Sequence, residues 1–95
     1  MEKRPRRSAA GVSPEEAFGR VLQEIRKKRG VSQEQLGFES GYHRTYISLL
    51  ERGLKSPSLG TMMSLSAALD VPASKIIRRV EGLVGMKSWK SPKSS

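Results

Sequence analysis

The side chains best suited to chemistry in this sequence crowd into one stretch, Gly41 to Gly53, which reads GYHRTYISLLERG. It holds the single histidine, His43, followed by Arg44, Thr45 and Ser48, while Tyr46, Ile47 and Leu50 keep an apolar rhythm among them. Catalysis fits this set poorly. Nucleophilic and acid/base chemistry need a positioned base or a matched pair of titrating groups. The chain has no cysteine, and it offers no carboxylate pair with an evident role, no metal-spaced cluster and no phosphate-cradling glycine loop. Neither an enzyme nor a bound metal or other cofactor is expected. His43 falls where a helix N-cap should lie, so local capping is weighed ahead of contact with a ligand. What the stretch does provide is a short helix with one face for burial and another carrying donors and acceptors of short reach.

Such a helix needs a frame, and 95 residues suit one small domain with one modest core. Mean hydropathy is −0.50 and 36% of residues are apolar, with no run approaching the roughly 18 to 20 apolar residues of a membrane span. No membrane partner is expected. The basic start, Glu2-Lys3-Arg4-Pro5-Arg6-Arg7, is not followed by the apolar stretch of a secretory signal. The absence of cysteine excludes a disulfide framework and leaves the redox compartment open but compatible with the cytoplasm, the location expected here. Net charge is +9, shared equally among residues 1–12, 13–85 and 86–95. Two-thirds of the excess thus lies in the flanks, and it favours association with polyanions, chiefly nucleic acid or acidic membrane surfaces.

The spacing of apolar and capping residues predicts an all-α domain over 13–81. A disordered basic arm, 1–12, precedes it, and an extension, 82–95, follows, apolar at first and then mobile. Ser13-Pro14-Glu15-Glu16 has the form of a capping box, and Phe18, Val21, Leu22 and Ile25 make one stripe of a helix over about 14–29. The run Arg26 to Arg29 reads as a solvated, dipole-matched end before Gly30. Ser32 with Gln35 starts a second helix of about eight residues that stops near Ser40-Gly41 and is held by Leu36 and Phe38 or their neighbours. A third covers about 44–52. Ser58 caps a fourth, with Leu59, Met62, Met63, Leu65 and Leu69, and Val71-Pro72-Ala73 resets the chain for a fifth over about 73–81, burying Ile76, Ile77 and Val80. Met62 and Met63 read as core filler.

Two short helices joined across Ser40-Gly41-Tyr42-His43 fit a helix-turn-helix, in which a tight turn sets the second helix steeply across the first. Gly37 supplies the small residue that a close crossing needs, at a cost of about 1 kcal/mol of helix propensity. With Ile47 and Leu50 buried, a step of about 100° per residue turns Arg44, Thr45, Ser48 and Arg52 outward. The major groove of DNA, about 12 Å wide, admits one such helix. Arg44 is the leading candidate for a bidentate contact to guanine, and Thr45, Ser48 and His43 complete the base-contact set. Gln33 at the start of the second helix, with Arg52 and Lys55 beyond the third, is placed for phosphates. Glu51 is expected to pair with a nearby cation such as Arg26 or to accept from backbone amides, organising the helix rather than doing chemistry.

Gly30-Val31-Ser32-Gln33-Glu34-Gln35-Leu36, Arg44-Thr45-Tyr46-Ile47-Ser48, Glu51-Arg52-Gly53 and Pro57-Ser58-Leu59 together resemble the phage repressor and Cro-like (XRE) helix-turn-helix family of bacterial transcription regulators. The resemblance covers about residues 15–80. It implies a compact five-helix, lambda-repressor-like DNA-binding domain that reads pseudo-palindromic operators as a dimer. Tyr46, at family spacing, reads as packing with its hydroxyl free for a phosphate. Ser56 takes a phosphate-contacting place where asparagine often precedes the proline. Gly37 stands where alanine is usual, Leu49 where a polar residue is common, and Gly60 and Asp70 where glutamate and glycine are frequent. The expected partners are double-stranded DNA and a second copy, through Ile77, Val80, Leu83 and Val84, with Met86 and Trp89 beyond. The alternative is an antitoxin or adaptor that binds a partner protein and regulates its own operon. No small-molecule ligand is expected.

Overall fold

The computed structural model describes residues 12–85, all helix and connecting turn: α1 (Pro14–Lys28), α2 (Gln33–Ser40), α3 (Arg44–Glu51), α4 (Leu59–Leu69) and α5 (Ala73–Val84). Residues 1–11 of the basic arm, Met86 and Trp89 lie outside the described residues, while Val12, which the arm was expected to include, packs against the core. The capping box closes as the sequence requires: Ser13 Oγ accepts from the Glu16 amide at 3.1 Å, and the Ser13 amide donates to Glu16 Oε1 at 3.3 Å. Ser32 and Ser58 cap α2 and α4 in the same way, each accepting from the amide three residues on at 3.0 Å. At Ser32 the box stays half-closed, because the Gln35 side chain donates to Glu39 instead.

α1 lies through the middle of the domain and packs on both α5 and α3, while α2 packs on α3 and α4. Its stripe of Phe18, Val21, Leu22 and Ile25 meets Leu36, Ile47, Leu50, Leu65, Leu69, Ile76, Val80 and Val84 in one core. Where α1 crosses α3 the approach is backbone to backbone. A Cβ on Gly19 would fall 2.5 Å from the carbonyl oxygens of both Leu50 and Glu51, so only glycine fits that crossing.

Four expectations are corrected here. Phe38 does not hold α2; it is 86% exposed, and Leu36 alone is anchored. Leu59 and Met63 point away from the core, whereas Met62 packs against it. α5 does not stop at residue 81 but continues through Gly82 to Val84, ending at Gly85 with φ 78°. The extra turn is held by Val84, one turn beyond Val80 on the same face and buried beside it. Val80 and Val84 are therefore spent in the chain's own core and cannot face a second copy; Ile77 is half-buried, and Leu83 keeps an exposed edge.

Candidate nucleic-acid interface

The pair α2 and α3 is set by a turn that leaves little freedom. Gly41 ends α2 with φ 87°, and its amide and that of Tyr42 both donate to the Gly37 carbonyl, at 2.9 and 2.8 Å. A positive φ at the end of a helix is a glycine conformation. Gly37 lies under the turn, where a Cβ would sit 2.5 Å from the Tyr42 carbonyl oxygen. The close crossing expected of Gly37 is thus built on bare backbone.

His43 is the N-cap of α3, and its Nδ1 accepts from the Thr45 amide at 3.0 Å. Capping, weighed ahead of ligand contact, is the role this geometry displays, with the ring still exposed at the helix start. Tyr42 and Tyr46 pack against each other with ring centroids 5.1 Å apart, and the Tyr42 hydroxyl hydrogen-bonds Thr61 Oγ1 at 3.0 Å. Thr61 in turn accepts from the Ser58 hydroxyl at 3.0 Å, which ties the turn to the first turn of α4.

A buried ion pair fixes the far end of α3. Arg26 grips Glu51 with two nitrogens, Nε to Oε2 at 2.5 Å and Nη2 to Oε1 at 3.0 Å, and its Nη1 donates to the Val31 carbonyl at 2.8 Å. Gln33 Nε2 donates to Glu51 Oε1 at 2.9 Å, and Gln23 Nε2 does so at 3.3 Å. One carboxylate therefore joins α1, α2 and α3. The pairing of Glu51 with Arg26 is as expected, and Arg26 is correspondingly withdrawn from the solvated run to which the sequence assigned it. The Gln33 side chain is turned inward to Glu51, so what α2 presents to an anion at this end is its backbone N-terminus.

With both ends held, the outer face of α3 carries Arg44 and Thr45 fully outward and Ser48 half-exposed one turn on. Arg52, Lys55 and Ser56 are exposed just beyond it, and Tyr46 is half-buried. Cationic and hydroxyl groups are thereby displayed on a helix whose opposite side, Ile47 and Leu50, is wholly buried. Among the described residues no group of three or more His, Asp or Glu side chains is arranged to hold a metal, and no helix is long and apolar enough to cross a membrane.

A family model described as helix-turn-helix matches residues 22–76, which contain α2, α3 and α4 whole. The chain belongs to the helix-turn-helix family of phage-repressor and Cro-like (XRE-type) proteins. It is similar to the control protein C.BamHI of Bacillus amyloliquefaciens, 43% identical over 61 residues that cover 63% of this chain and 75% of that one. Among solved structures it resembles the restriction-modification controller protein C.AhdI of Aeromonas hydrophila, at a TM-score of 0.63 and 39% identity, over 64% of this chain and 92% of that one. It also resembles SinR, a master regulator for biofilm formation solved in complex with DNA, at a TM-score of 0.61 and 31% identity, over 63% of this chain and 97% of the other. SinR is a protein of Bacillus subtilis.

Among the residues that brace this helix-turn-helix, Gly19 and Gln23 on α1 and the Tyr42–Thr61 bond to α4 were not read from the sequence. A glycine inside a strongly amphipathic helix was a usable signal for the first. The other two join residues 28 and 19 positions apart and had no local signature.

Proposed function

We propose that this chain is a sequence-specific regulator of transcription that binds double-stranded DNA, laying the N-terminal half of α3 in the major groove of a pseudo-palindromic operator as a homodimer. The observation that carries this reading is the exposed Arg44 and Thr45 at the start of a helix anchored at both ends. Arg44 reads guanine, Thr45 and Ser48 contact bases, and the His43 ring stands beside them. Arg52, Lys55, Ser56, the Tyr46 hydroxyl and the N-terminus of α2 position the domain on phosphates. The similarity to control proteins and to a regulator solved on DNA supports this, and it does not favour an adaptor with a separate protein partner. Such a protein acts in the cytoplasm and does no catalysis.

Selection of bound sequences from a random duplex pool tests the proposal. The expected product is a two-fold motif with guanines spaced to meet Arg44 in each half. A pool that emerges unenriched at ordinary ionic strength overturns it.

A further inference from the structure

A two-fold operator requires a second copy, and the α5 face expected to bind it is largely used up inside the domain. α4 offers a different surface. From Ser56 to Leu69 there is no charged residue, in a chain of which 28% is charged. α4 is uncharged throughout, whereas each of the other four described helices carries acidic or basic side chains. One side of α4, with Thr61, Leu65, Ser66 and Leu69, is buried in the core. The other displays Leu59 at 72% and Met63 at 56% exposure, with Ala67 one turn further along the same stripe and Gly60 beside it. A helix apolar on both sides is normally buried on both.

Gly60 fits the same contact. Glycine within a helix costs about 1 kcal/mol relative to alanine, and Gly19 and Gly37 are accounted for by backbone that a Cβ would strike. A Cβ at Gly60 meets nothing nearer than Ser58 Oγ, at 3.8 Å, so nothing among the described residues requires the glycine, as is also the case for Gly82 on α5. Gly60 does leave a shallow place on the outer face where a second helix can approach closely.

From these observations we infer that the outer face of α4, centred on Leu59, Gly60, Met63 and Ala67, is the surface through which two copies of this chain pair about a two-fold axis. Charge decides the occupant. Two copies that each carry +9 repel wherever like charges meet. The outer side of α5 would set Lys75 and Arg78 against their own copies, while α4 meets its copy with no charge at all. A two-fold contact is made by one patch with itself; a neutral apolar stripe meets its copy without like charges facing each other, whereas the outer side of α5, which mixes Lys75, Arg78 and Arg79 with Glu81, does so only by pairing opposite charges. This inference rests on the reading of the chain as a two-fold DNA binder, but the pairing can be measured without DNA.

Sedimentation of the full chain and of Met63→Glu, with Leu83→Glu as the α5 counterpart, is the first arm. Met63 is exposed, so the fold is expected to persist, and circular dichroism checks it. Met63→Glu should weaken the dimer about a hundredfold or more, because like charges then face each other at the axis. Leu83→Glu should leave it within about threefold, as for a charge outside the contact. The second arm uses the absence of cysteine: Leu59→Cys, Met63→Cys and Ala67→Cys are oxidised singly. At least one of them should form a covalent dimer, since a residue beside the axis lies within disulfide reach of its copy, and Leu83→Cys should not. Dimerisation undiminished in Met63→Glu, cross-linking confined to Leu83→Cys, or a wild-type chain monomeric at high micromolar concentration overturns the inference. The DNA reading is judged apart, by whether the Met63→Glu monomer still prefers a duplex bearing one half-site.

Discussion

At the scale of single residues, a side chain's direction matters more than its chemistry. Arg44 stands outward at the start of α3 beside Thr45, in the place from which a guanidinium reaches a guanine edge. Arg44→Ala should relax preference at one position per half-site, losing about 1 to 3 kcal/mol of discrimination there, while phosphate-driven binding to other sequences persists. Competition between operators that differ at one base pair measures this. Asp70 poses a purely conformational question, since it ends α4 with φ 58° and ψ 44° and is exposed. The left-handed conformation costs an ordinary L-residue about 1 to 2 kcal/mol, and aspartate less. Asp70→Gly should therefore stabilise the domain by about 0.5 to 1 kcal/mol in denaturant unfolding without changing DNA affinity. Gly37 is the opposite case. Helix propensity alone favours Gly37→Ala by about 1 kcal/mol, but the new Cβ would lie 2.5 Å from the Tyr42 carbonyl oxygen and 3.2 Å from the Arg44 nitrogen. Overpacking against backbone costs about 1 to 3 kcal/mol. The variant should be net destabilised, and because the turn must shift to admit it, operator affinity should fall by more than unfolding accounts for.

At the scale of helices, what was legible in the sequence is what depends on neighbours in the chain. The caps at Ser13, Ser32 and Ser58, the stripe on α1 and the stop at Gly41 are set within a turn or two, and all stand where the sequence puts them. Which side of a short apolar helix faces inward was not legible. α2 has only Leu36 and Phe38 as large apolar residues, about 200° apart around the axis, so the core can take one of them. The crossing at Gly37 selects Leu36. α4 has apolar residues on both sides, and only the tertiary arrangement distinguishes Leu65 from Leu59. The outward face of α3 was legible, because the helix has a single buried stripe and Arg44, Thr45 and Ser48 lie off it. Its rigidity was less so, for it depends on Glu51 collecting Arg26, Gln23 and Gln33 from two other helices. Removing one partner of a buried ion pair leaves an uncompensated charge, at about 3 to 5 kcal/mol, whereas replacing both with apolar residues of similar size is often near neutral. Glu51→Ala should therefore destabilise the domain severely, and Arg26→Met combined with Glu51→Leu should recover much of the loss. Thermal unfolding of the two variants side by side measures the difference.

For the whole molecule, the division between reading and holding separates two kinds of cation. Arg44 stands outward at the start of α3, whereas Arg52 and Lys55 lie exposed past its end, where the proposed complex sets the phosphate backbone. A phosphate contact releases condensed counterions, so each adds about 0.9 to the slope of log affinity against log salt, whatever the base sequence. In a homodimer Lys55 acts twice. Lys55→Ala should thus flatten the slope by about 1.8 and weaken operator and random duplex alike, leaving their ratio unchanged. Arg44→Ala should lower that ratio, and the two variants therefore move different observables in the same titration series. Removal of residues 1–12, which carry a net +3, should resemble Lys55→Ala rather than Arg44→Ala. A truncated chain whose preferred sequence changes would mean that the arm reads bases, and the specificity now attributed to α3 alone would have to be divided between them.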